Sequence, residues 1–303
     1  MFQVRVVAAL ITFILGNACE EVCENGVVEG DYEIGGQSDL DALEGCREIE
    51  GSLNIKGTEL ESLHGLESLE AVGEDLLLKG NGNLKNLEGL NGLREVGGGL
   101  IICSMFEGLD LLEDRRSPKN GNFASCPERI PDTVKTVRWS VSLSSSQGNR
   151  QLESLDGLES LSSVESLRID SNESLKDISG LKNLKTVRRE MVISSNDSLG
   201  NMRGLDNIRS AGSVEIGGNE SLKDLDGLGR LEAVEWDLSI NANRSLRNID
   251  GLEKLTDLGG NLSIYGNKVL PACEAEELVD RLEQERWRGD AYISGNDDEA
   301  TCE

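Results

Sequence analysis

Aromatic residues make up only 3% of this 303-residue chain, against 37% for all hydrophobic types together. A globular core of that length usually rests on Phe, Tyr and Trp, so their shortage points to another way of burying surface. Histidine is nearly absent. His64 alone leaves a Ser-His-Asp triad or a Cys-His dyad without a credible base and makes a His-rich metal site impossible. Its slot in the sequence tolerates many residue types, so an exposed His64 is expected. Positive charge is scarce as well: 30 Lys and Arg face 56 Asp and Glu, the net charge is −26, and no basic stripe is visible. Binding along a phosphate backbone needs clustered Lys and Arg, which argues against a nucleic-acid partner. The acidity reads as solvated surface, because the regular Asp-x-Asp-x-Asp spacing of a Ca²⁺ loop is missing. Neither a metal nor a cofactor is expected.

What the chain does have is a repeat. Leu152, Leu175, Leu199, Leu222, Leu246 and Leu270 open equivalent segments at intervals of 23 or 24 residues, and Leu60 and Leu84 form an earlier pair. Such a period marks a solenoid. In the segment from Leu222 the apolar positions are Leu225, Leu228, Leu231, Val234, Leu238 and Ile240, the last two alternating as in a strand. One coil cannot bury that set alone, whereas stacked coils turn each position into an inward column. Leucine then takes the place of aromatic residues. The glycines at 65, 89, 157, 180, 204, 227 and 251 mark a turn that needs positive φ or close backbone approach. Asn81, Asn172, Asn196, Asn219, Asn243, Asn267 and Asn296 follow the strands and are expected to form a hydrogen-bonded ladder. Four of the five N-x-S sequons fall on that ladder, which leaves Asn261 as the reasonable acceptor in a eukaryotic secretory pathway.

Residues 1–18 combine Arg5, an apolar run from Val6 to Leu15, and small residues before Cys19. This pattern predicts a secretory signal too short to span a bilayer. Cysteine usage agrees with export, since Cys23, Cys46, Cys103, Cys126, Cys273 and Cys302 make three sequence-local candidate pairs and leave Cys19 over. Leu15-Gly16-Asn17-Ala18-Cys19 resembles a bacterial lipoprotein box, with Leu at −4 and Gly at −3 as departures. Lipidation of Cys19 would attach the protein to a membrane surface, and ordinary cleavage would release it.

The segment Leu40-Asp41-Ala42-Leu43-Glu44-Gly45-Cys46-Arg47-Glu48-Ile49-Glu50-Gly51-Ser52-Leu53-Asn54-Ile55 resembles the opening coil of the receptor L domains of insulin and epidermal growth factor receptors. The resemblance implies a Cys23 to Cys46 pair in an N-terminal cap. The other end is similar too: Leu270-Pro271-Ala272-Cys273, an amphipathic stretch to about Arg286, a strand near Tyr292-Ile293-Ser294 and a closing Cys302 imply a helical cap. No Cys-rich module or kinase region accompanies these segments. A stand-alone surface protein of bacterial lipoprotein type is the implied relative. The expected fold is mainly β, a right-handed single-stranded β-helix or leucine-rich-repeat-like solenoid of about 24-residue coils. A signal peptide over 1–18 precedes the solenoid over 19–303, whose C-terminal cap spans 270–303.

The repeat falters at about 103–150, either as an excursion from one solenoid or as a seam between two L-type units. The spacing of Val134, Val137, Val141 and Leu143 favours one solenoid carrying a degenerate coil there. Alternation directs Asn54, Leu77, Ile101, Ser142, Arg168, Val192, Glu215, Ser239 and Ser263 outward. Among these Leu77, Ile101, Arg168, Val192 and Glu215 are the expected contact residues for an extracellular protein or glycan. Only Glu215 is acidic, and Asp75, Asp170, Glu190 and Asp237 are scattered nearby, so no tuned carboxylate pair for glycan hydrolysis stands out. A non-enzymatic binding module is the leading expectation. A structural envelope component and a β-helical polysaccharide-active enzyme are the alternatives.

Overall fold

The computed structural model describes residues 22–103 and 149–302. Ten strands stack in sequence order, each parallel to the next: β1 (Tyr32–Ile34), β2 (Leu53–Lys56), β3 (Leu76–Lys79), β4 (Glu95–Cys103), β5 (Ser163–Asp170), β6 (Glu190–Ser194), β7 (Ser213–Gly217), β8 (Leu238–Asn241), β9 (Leu262–Tyr265) and β10 (Ala291–Ser294). This is a parallel β-solenoid of about eight turns. The alternation read from the sequence sets its inside. Leu76 and Leu78, Leu100 and Ile102, Leu167 and Ile169, and Leu238 and Ile240 are all fully buried in one continuous core. On a neighbouring side, two-residue rungs such as Ala233–Val234 and Asp257–Leu258 pair in parallel and bury the Val column.

The glycine column works through backbone approach. Gly157 has φ +109°, and a Cβ there would lie 2.0 Å from the carbonyl oxygen of Leu87 in the coil below. Gly251 lacks a positive φ, yet its Cβ would lie 1.9 Å from Leu225 O. Close stacking therefore demands glycine at both, whatever the local dihedral.

The asparagine ladder is present and longer than the sequence pattern suggested. Asn219 Oδ1 accepts the Asn196 N–H at 3.0 Å, while Asn219 Nδ2 donates to Ile193 O at 2.9 Å, and the same pattern recurs at Asn243 and Asn267. These side chains are fully buried. Thr58 opens the ladder by donating its N–H and hydroxyl to Asn81 Oδ1. The residue just before each rung is left-handed: Gly80, Ser171, Ser195, Gly218, Ala242, Gly266 and Gly295 have φ between +55° and +71°. That twist lets the chain leave the strand and turn its Asn inward.

The ladder and sheet cross the irregular region without a break. Leu100 pairs with Leu167 and Ile102 with Ile169, so β5 stacks directly on β4 with only a bulge between Val96 and Gly99. Asn149 fills the next rung, accepting the Asn81 N–H at 2.9 Å and donating to Asn172 Oδ1 at 3.0 Å. The degenerate coil expected at Ile130 to Leu143 falls between β4 and β5 in the sequence. Those residues, with Ser142 and Cys126, lie outside the described ones, as do the signal segment and Cys19.

Both ends are closed as the capping cysteines implied. Cys23 bonds to Cys46 and Cys273 to Cys302. Cys103 is also disulfide-bonded. At the N-terminal end a short helix, α1 (Gln37–Ala42), buries Leu40, and Asp39 Oδ2 accepts the N–H groups of Gly35 and Gly36. At the other end α2 (Ala272–Gln284) presses Ala275, Leu278 and Leu282 onto the last coil, and Trp287 donates its indole N–H to Gly260 O at 2.8 Å. The disulfides fit an oxidising extracellular or periplasmic setting. No helix among the described residues is long and apolar enough to cross a membrane.

Candidate functional site

The outward side of the ten-strand sheet is the surface on which varied residues stand over an invariant scaffold. Its central row reads Asn54, Leu77, Ile101, Arg168, Val192, Glu215, Ser239, Ser263 and Tyr292 in register from β2 to β10. The structure brings the five expected contact residues together in adjacent strands, but it does not leave them exposed. Leu77 and Ile101 are 0% accessible, Arg168 4% and Val192 5%, and Glu215 is only partly accessible. Four of the five expected contact residues are thus buried and Glu215 is half-buried, in the outward register that alternation assigned. Leu77, Ile101 and Cys103 form a second apolar cluster, separate from the solenoid interior. Strand alternation reports which face of a sheet a side chain takes; it does not report whether that face meets water.

Polar groups in this buried stretch carry perturbed electrostatics. Burial pushes the Glu215 carboxyl up to about 8; Arg168 opposes the rise, while Asp170 and Glu190 add to it. Burial also raises Glu190, against the pull of Arg168 and Arg189. The other acids singled out from the sequence serve the coil. Asp75 Oδ1 accepts the Gly99 N–H at 2.7 Å and Asp237 Oδ1 accepts the Asn261 N–H at 2.6 Å, while Asp170 accepts the Ser194 hydroxyl. His64 is exposed and its Nδ1 lies 3.0 Å from Glu67 Oε1 on the outer turn, a local contact away from the sheet face.

Toward the C-terminal end the same face opens to solvent. Tyr292 is 58% accessible, the larger value of the two exposed large hydrophobic residues among those described. Its ring meets that of Tyr265 on the preceding strand at 5.6 Å between centroids and 67° between planes. Beside them stand partly accessible Ser239 and Ser263 and exposed Ser294, while Asn241 is buried beneath, its Nδ2 donating to Ser239 Oγ at 3.1 Å. Sequence reading missed this pair because Tyr265 sits where other coils carry Lys56, Asp170, Ser194 or Asn241, and Tyr292 lies in the capping strand after the helix. The signal was nevertheless present, since two of the chain's three tyrosines occupy outward positions of consecutive strands.

Exposed Asn261 adjoins this surface, its Oδ1 accepting the Asp290 N–H, in contrast to the buried sequon residues Asn172, Asn196, Asn219 and Asn243. A hollow of about 250 Å³ lies where α2 meets the last coil. Its polar groups hold the cap: Glu274 Oε2 accepts the Ile249 N–H and Arg281 Nη2 donates to Leu252 O, both at 2.9 Å. The outward face of β8 to β10 is thus a stretch of the sheet that meets solvent. No family model and no curated protein matches the chain.

Proposed function

We propose that this chain is a non-enzymatic extracellular recognition module of receptor L-domain type, which contacts its partner through the outward face of β8, β9 and β10. The observation that carries the reading is the exposed Tyr292 ring, braced by Tyr265 and flanked by accessible Ser side chains. Rigid aromatic anchors among adaptable polar groups are what recognition surfaces use, because Tyr supplies contact area at little rotamer cost. The two disulfide-closed caps support the L-domain reading and an exported protein. Lipidation at Cys19 would hold the module at the cell surface, and cleavage there without lipid would release it.

Retention of the purified mature chain on the extracellular surface of its source cells tests this function. Wild type and Arg230→Glu, which alters an exposed turn away from the face, are expected to be retained, while Ser263→Arg is expected to wash off. Equal retention of Ser263→Arg would remove the face from the binding reaction.

A further inference from the structure

We infer that the ligand of this face is a neutral saccharide chain, an inference that rests on the binding function just proposed and narrows it to one chemistry. The six outward positions in two rows over β8 to β10 are Ser239, Ser263 and Tyr292, then Asn241, Tyr265 and Ser294. None carries a formal charge at neutral pH, although 28% of the chain is charged. An acidic ligand would be repelled by a protein of net charge −26, with no cation in these rows to receive it. A cationic ligand would seek carboxylates, which the two rows lack; nearby Asp237 is engaged with the Asn261 N–H. An apolar protein partner would need aliphatic anchors, and the six positions hold no Leu, Ile, Val, Met or Phe.

A sugar ring matches what remains. One side of a pyranose presents C–H groups that lie well on an aromatic face, and its rim presents hydroxyls that both donate and accept. Tyr292 offers the flat ring, and the edge-to-face contact with Tyr265 fixes its pose. The hydroxyls of Ser239, Ser263 and Ser294 likewise donate and accept. Equivalent positions recur along the solenoid axis at the strand spacing of about 4.8 Å, so Ser239, Ser263 and Tyr292 form a line suited to a chain of repeated units.

The test uses the mature chain and defined probes: soluble β-glucan, mannan and chitin oligomers, with polygalacturonate as the acidic comparison, titrated by calorimetry. At least one neutral polymer is expected to bind. Tyr292→Ala should weaken that binding about tenfold or more, and Tyr292→Phe, which keeps the ring, should stay within about threefold. Unchanged circular dichroism and melting of both variants, expected for an exposed side chain, separate loss of binding from loss of fold. Surface retention is then repeated in the presence of excess soluble neutral polymer of the kind bound in calorimetry, and on protease-treated source cells. Loss under polymer competition, with retention surviving protease, supports the saccharide. Retention that no neutral polymer competes away, that is lost after protease and that still depends on Tyr292 overturns the saccharide while leaving the binding function in place. No neutral polymer bound, with no Tyr292-dependent retention on untreated cells, overturns both.

Discussion

Asn149→Ala is expected to destabilise the whole molecule, because one side chain ties the coil ending at Cys103 to the coil beginning at Leu152. Its Oδ1 accepts the Asn81 N–H at 2.9 Å; its Nδ2 faces Cys103 O at 3.1 Å, Leu78 O at 3.3 Å and Asn172 Oδ1 at 3.0 Å. Asn149 and Asn81 are both fully buried, so water cannot replace the lost acceptor without opening the coil. Leaving a buried donor unsatisfied costs about 1–3 kcal/mol, and the deprived acceptors add about 1 kcal/mol between them, giving about 2–4 kcal/mol in all. Asn183→Ala is the comparison: this exposed residue also donates to the coil below, to Glu159 O at 2.6 Å, but water can take its place. It should cost less than about 1 kcal/mol. Urea unfolding followed by circular dichroism gives both values, and hydrogen exchange at the Asn81 amide reports the site itself. A loss for Asn149→Ala no larger than that for Asn183→Ala would refute the continuous ladder. So would separate unfolding of the two halves in the wild type.

Three further outcomes follow from local geometry. Ala242 is exposed with φ +55°, so Ala242→Gly should raise stability by about 0.5–1 kcal/mol in urea unfolding, although glycine normally weakens regular structure; a loss would refute strain at that turn. The folded-state value for Glu215, about 8, lies above its unfolded value near 4.5, so its contribution to stability is fully present below about pH 4.5 and is lost as pH rises through 8. Glu215→Gln should therefore flatten the fall in stability between pH 5 and 9, by about 2–4 kcal/mol after relaxation, measured as urea midpoints against pH; an unchanged slope would place the carboxyl in water. Secretion from eukaryotic cells should attach a single N-glycan, removed by Asn261→Gln and visible as a mass shift; glycans on the buried Asn ladder would contradict the fold.

The fold was legible because a solenoid writes its core in one dimension: Leu222, Leu225, Leu228 and Leu231 each become a column when the coil repeats. The ladder was legible for the same reason, apart from two rungs. Thr58 keeps the donor side of the rung with a different residue type. Asn149 stands three residues before Leu152, as Asn172 stands before Leu175, but Ser144 and Ser146 stand before it where Leu167 and Ile169 precede Asn172. The candidate site was less legible. Leu77 and Ile101 have the outward register that alternation assigns and are nevertheless buried, and the period-2 pattern carries no signal for that. Tyr265 and Tyr292 lie 27 residues apart across the capping helix, so their contact emerges only when β10 pairs with β9.

Recognition by the outward face of the last three strands stands or falls on a photo-crosslinking scan. A photoreactive residue is placed singly at Ser239, Ser263 or Tyr292, and at the exposed turn positions Arg188, Arg209 and Arg230, and each variant is irradiated on the source-cell surface. Adducts to a common surface component from the three face positions, with none from the turns, are the expected result. Adducts arising only from the turns, or equally from all six positions, would contradict it.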